Sequence, residues 1–174
     1  MGINIAAIKT ALHAWCTDET GELFIFTSQN APKPTGPFGT IRINSNLTLN
    51  RAIKTNTREI DENITTDYEI SGILMVSINT YKDDALQLIS NLKSSLDKDS
   101  VIDYFNSNNI GILNQSEIRN INEVENKEWE ERGQCDFFFN VISSTQETGG
   151  NSIEKIEVTD EINNDIIIVE KPTP

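Results

Sequence analysis

Residues 68–81 read YEISGILMVSINTY, the strongest strand signal in the chain. The middle of this run is apolar on both faces, so it has to be covered from both sides and predicts the centre of a sheet. The period then changes. Ala85, Leu86, Ile89, Leu92 and Leu96 recur at helical spacing, and a helix is expected to open at Lys82 or Asp83. Asp83 and Asp84 suit the positive end of its dipole. A central strand feeding an amphipathic helix restricts the chain to folds that layer helices on a sheet.

The flanking segments extend this pattern. Ile5, Ile8, Leu12 and Trp15 share one face of an N-terminal helix over 3–16, and Gly21 ends that region. ELFIFTSQ (22–29) is a short strand candidate, and NAPKPTGPFG (30–39), with three prolines, is an extended loop. TIRINSNLTLN (40–50) alternates as a half-buried strand with a break near Asn44–Asn46. The polar stretch 54–67 predicts a surface loop or a hairpin tip. Asp99–Ser100 opens a second short helix, with either residue as its cap. IGILNQSEIRNIN (110–122) and QCDFFFNVISS (134–144) are strands, TQETGGNS (145–152) is a hairpin loop, and IEKIEVTD (153–160) returns. DIIIVE (165–170) adds a last short strand. The expected fold class is α+β: a single antiparallel or mixed sheet with helices packed on one face.

A chain of 174 residues suits one domain. We expect residues 1–162 to form it, with 163–174 as a C-terminal strand or arm. The net charge of −13 has the wrong sign for a general nucleic-acid binder. No apolar run approaches the roughly 20 residues that span a bilayer, and the N-terminus lacks the basic start and apolar core of a signal peptide. Cys16 and Cys135 imply no disulfide framework and are expected as free, buried thiols in a reducing cytoplasm.

The chemistry-bearing residues are sparse. The one histidine, His13, sits between Leu12 and Trp15 on a packing helix. The chain lacks GxSxG, P-loop, GxGxxG, CxxC and HExxH patterns, so no catalytic, cofactor-binding or metal residues are expected. Glu59, Asp61 and Glu62 cluster, as do Glu157, Asp160 and Glu161, but nothing sets them around a pocket, and a solvated face is the simpler reading. A small carboxylate-dependent hydrolase and a host-directed adaptor remain the alternatives. Trp15 continues a helix stripe and belongs to the core. Trp129 lies among five charges in KEWEER, which favours an interface or a loop anchor over burial. Behind it, alternation sends Cys135, Phe137, Phe139 and Val141 to one face and Gln134, Asp136, Phe138 and Asn140 to the other. Phe138 is then the aromatic on a polar face, and Arg132 is expected to pair with a neighbouring carboxylate.

The order of these pieces resembles the neck and tail terminator (tail completion) proteins of tailed bacteriophages. The pieces are a helix ending near Trp15, NAPKPTGPFGTIRI (30–43), LMVSINTYKDDALQLISNL (74–92), NNIGILNQSEIRNIN (108–122), EWEERGQCDFFFNVISS (128–144), a glycine hairpin, and IEKIEVTDEI (153–162). Trp129, Glu131, Arg132, Asp136 and Phe138 fall where such proteins carry them. The resemblance implies a tail-terminator-like fold and a non-enzymatic virion protein. It implies a ring, most often a hexamer, that caps the tail tube at the head–tail junction. Its partners would be the tail tube, sheath proteins if the tail contracts, and neck or connector proteins. DNA would pass the lumen without specific binding, and assembly would occur in the host cytoplasm. The expected subunit-interface residues are Trp129, Arg132 and Phe138, with Ile166, Ile167, Ile168 and Val169, which either complete their own sheet or add a strand to a neighbour.

Overall fold

The computed structural model describes residues 2–27, 32–44, 48–60, 63–125, 128–151, 155–159 and 166–170. Helix α1 spans Ile5–Thr20. The Asn4 side chain accepts from the Ala7 N–H at 3.1 Å, a capping bond. Gly21, with φ 73°, closes the helix in the left-handed conformation that glycine takes freely. Then come β1 (Leu23–Phe26), β2 (Phe38–Ile43), β3 (Thr48–Leu49), β4 (Ile53–Ile60) and β5 (Asn63–Tyr81). Helices α2 (Ala85–Ser95) and α3 (Asp99–Ser107) follow. The rest is strand: β6 (Ile110–Gln115), β7 (Arg119–Asn120), β8 (Glu123–Glu125), β9 (Glu128–Glu130), β10 (Arg132–Asn151), β11 (Lys155–Thr159) and β12 (Ile166–Glu170).

Two compact units divide the chain. Unit 1 holds residues 1–52 and 70–143, and unit 2 holds 53–69 and 144–174. In unit 1 the strand order is β1-β2-β5-β10-β6, with β3 also on β5 and β7 also on β10. β1 and β2 are parallel, whereas β2 pairs β5 and β6 pairs β10 antiparallel. The sheet is therefore mixed and open, and the class is α+β, as the sequence predicts. All three helices pack on one face. Leu12 and Trp15 of α1, Ile89 and Leu92 of α2, and Phe105 of α3 share a core with Leu74, Val76, Ile78, Phe137, Phe139 and Val141 of the sheet. Trp15 stands at the centre, with its ring edge-on to Phe105 at 5.3 Å and to Phe137 at 5.4 Å. Its indole N–H donates to Ser95 Oγ at 2.9 Å, so the one polar atom it buries is satisfied. Burial of each such ring contributes roughly 1.5–3 kcal/mol. Gly39 lets this packing close, because a Cβ there would lie 2.0 Å from the Phe24 ring.

In unit 2, β4 and the first residues of β5 form an antiparallel hairpin from Ile60↔Asn63 to Ile53↔Glu69. The 54–67 stretch, expected as a surface loop or a hairpin tip, instead supplies the paired strands of a hairpin, held by backbone pairing rather than by an apolar stripe. Gln146 of β10 donates to Asp67 Oδ1 at 2.8 Å, Arg58 pairs with the same carboxylate, and Thr65 meets Thr148 at 3.3 Å. β11 and β12 pair antiparallel as a separate two-stranded sheet.

Four further expectations need correction. Gly149 and its neighbours in 145–151 are not a loop: β10 continues through them to Asn151, and Gln146 and Thr148 there bond to Asp67 and Thr65 of β5. α2 opens at Ala85 rather than at Lys82 or Asp83, since Lys82 (φ 70°) and Asp84 (φ 61°) are left-handed and cannot propagate a right-handed helix. The cap of α3 is Lys98, so neither Asp99 nor Ser100 caps it. Finally, β5 is central but not apolar on both faces. Leu74, Val76 and Ile78 enter the core, while Ser77 and Asn79 are buried polar residues on the other side.

Candidate functional site

Packing three helices on one face leaves the opposite face of the unit 1 sheet without a helix. Alternation fixes who stands there. Register pairs Arg42 with Ser77, Thr40 with Asn79, and Phe38 with Tyr81 across β2 and β5. From β5 to β10, Ser77 meets Asp136 whereas Asn79 meets Arg132, so these strands run antiparallel, and Met75 comes opposite Phe138.

The buried Asp136 is fully engaged. Ser77 Oγ donates to its Oδ1 at 2.5 Å, Arg119 pairs with its Oδ2, and its own N–H donates to Ser116 Oγ at 2.9 Å. Asn44 adds a bond to Ser77 Oγ at 3.0 Å. A buried carboxylate is tolerated only with such partners. At the other end, the Tyr81 and Phe38 rings stack at 4.7 Å, with Arg132 5.0 Å over Tyr81 and Lys82 5.8 Å over Phe38. Lys82 Nζ donates to the carbonyls of Pro34 and Thr35 at 2.7 and 2.6 Å, which ties the proline-rich segment to this end.

The residues singled out in the sequence are thus partly brought together. Arg132 and Phe138 share the helix-free face, and Phe138 is half-buried there, while Cys135, Phe137, Phe139 and Val141 are all buried in the core as alternation predicts. Arg132 donates to Asn79 Oδ1 at 3.2 Å, and it is Arg119 that serves Asp136. Trp129 lies apart, in the two-stranded β8–β9 sheet opposite Val124, and is 78% exposed. Ile166 to Val169 lie in β12 of unit 2, paired with Thr159 to Ile156 of β11 in the same chain. Arg42, Ser77, Asn79 and Arg119 were not anticipated. Alternation in TIRI and SINTY separates their faces, but only the pairing register reveals that the polar faces coincide.

The conventional signs of chemistry lead to structural roles. His13 Nε2 is 3.0 Å from the Phe24 carbonyl and its ring stacks on Phe26. Cys16 and Cys135 are free and buried, as expected, and burial pushes both thiols up. Among the described residues no group of three or more His, Cys, Asp or Glu could hold a metal ion, and no helix is long and apolar enough to cross a membrane. The side chains of both acidic clusters, around Glu59 and around Glu157, lie outside the described residues. An open groove in unit 2 is lined by Thr55, Asp67, Ser144, Thr145 and Gln146, which bring three hydroxyls, one amide and a carboxylate that is already bonded to Gln146 and Arg58.

A family model described as phage neck terminator protein matches residues 6–167 of this chain. No curated protein matches it.

Proposed function

This chain belongs to the phage neck terminator family, and from that premise we propose that it forms a ring, hexameric by the family's habit, that caps the tail tube and joins it to the neck. As a member of that family it is a structural protein of the phage neck, located in the virion, that contacts other neck and tail proteins. The family match over nearly the whole chain carries the reading. A non-enzymatic role agrees with it.

Several features support a ring. Trp129 is a large apolar surface left in water, which is costly for a monomer and useful at a contact. Arg132 and Phe138 add to the helix-free face. Among the described strands, the edge of β12 away from β11 has no partner, so Ile166–Val169 could extend a neighbour's sheet, with 163–174 acting as an arm from a body of 1–162. The charge of −13 suits a bore through which DNA slides without being held. Sheath contacts would follow if the tail contracts, and assembly would take place in the host cytoplasm.

Native mass spectrometry of the chain, alone and with purified tail tubes, tests the reading. A ring of about six copies is expected in at least one condition. Trp129→Ala should leave the monomer's stability within about 0.5 kcal/mol, the usual range for an exposed site, while weakening the ring. A chain that stays monomeric in both conditions refutes the proposal.

A further inference from the structure

We propose that the helix-free face of unit 1 receives the acidic, tryptophan-bearing stretch 123–131 of a second copy of this chain; the inference rests on the ring reading above. Charge is the first argument. The chain carries 27 acidic and 14 basic residues, yet this face collects Arg42 and Arg119, with Lys82 at its end. Along β2, β5 from Ile73 and β10 to Asn140, the described residues of that face include a single carboxylate, Asp136, and it is already bonded to Ser77 and Arg119. With Arg119 on Asp136, Arg42 adds positive charge to this face with no carboxylate among its described residues left to meet it. Arg42 is exposed, and the Arg119 side chain is 52% exposed despite its pairing.

The second argument is apolar. Ile73 is 45% exposed on the same face, and Met75 and Phe138 on neighbouring strands are half-buried. A segment that fits must bring negative charge together with an apolar anchor. The stretch EVENKEWEE (123–131) holds five glutamates and Trp129, which is exposed in its own chain. Glu130 is held by Lys33 of the same chain at 2.9 Å, so the hairpin is anchored at its base. The face belongs to the main sheet and the stretch to the separate β8–β9 sheet, so the contact can repeat head-to-tail from copy to copy, the kind that closes into rings. A nucleic-acid duplex would use the cations but not the apolar residues, and the net charge opposes it.

The test uses the full chain with tail tubes present. R42C and W129C are prepared separately, mixed and oxidised; the native thiols are buried and do not compete. The mixture is expected to give at least tenfold more disulfide-linked dimer than either variant alone. R42E should weaken self-association about tenfold with an unchanged melting temperature, and 0.5 M salt should do the same. A ring seen by native mass spectrometry without this cross-link, and unaffected by R42E, overturns the inference and leaves the ring standing. Absence of any ring removes both. Binding of a duplex oligonucleotide that R42E abolishes also overturns it, because the face would then belong to nucleic acid.

Discussion

The core is set by a few side chains whose chemistry is muted by burial. Cys16 is held protonated by desolvation alone. For Cys135, burial outweighs the opposing hydrogen bond from Ser116 and the charge of Lys93. A thiol with a raised pKa favours the folded state below its ordinary value near 8.5 and loses that advantage as the pH climbs above it, where the unfolded chain ionises first. We expect both thiols to resist a thiol-reactive chromogenic disulfide at pH 8 and to react completely once guanidinium unfolds the chain. Labelling of either in the native protein would show that the core opens. Trp15, Phe137 and Phe139 were legible because apolar period speaks directly to burial. Ser77 and Asn79 were not, because a polar residue inside an apolar run carries no mark of whether water or another side chain will satisfy it.

At the level of elements, the β4–β5 hairpin is pinned by Asp67. The Gln146 amide and then the Arg58 guanidinium hold its carboxyl below the usual carboxylate range. Such a group stabilises above its ordinary pKa of about 3.9, and the contribution is lost as the pH falls through the depressed value. Hydrogen exchange of the hairpin amides should therefore speed up below about pH 4 beyond the intrinsic pH trend, and Asp67→Asn should flatten that response. An identical pH profile in the variant would remove Asp67 from the account. This hairpin also shows where pattern reading stops. The 54–67 stretch has few apolar anchors, so its strands owe their existence to pairing and to bonds such as Thr65–Thr148 rather than to a periodic stripe. The glycine at 149 misled for the opposite reason. It signals a turn locally, yet a neighbouring strand can hold it extended.

On the scale of the whole molecule, every residue of the apolar core cluster belongs to unit 1. Deleting 163–174 removes β12 and leaves that cluster untouched. The truncated chain should fold, with a melting shift under about 4 °C in the unit 1 transition followed by near-ultraviolet circular dichroism of Trp15. Loss of that signal would show that the C-terminal segment is needed for the core. The layered α+β plan was readable from where period two gives way to period 3.6. The basic face was not, since it arises only when β2, β5, β7 and β10 are set in register. One further consequence follows from the corner between β5 and α2. Lys82 and Asp84 both adopt a conformation that costs a side-chain-bearing residue about 1 kcal/mol. The Asp84 side chain makes no capping bond, whereas Lys82 Nζ holds the Pro34 and Thr35 carbonyls. A randomised library selected for heat resistance should therefore enrich glycine at position 84 and reject it at position 82, so two positions on either side of Asp83 with the same backbone demand would have opposite mutational fates.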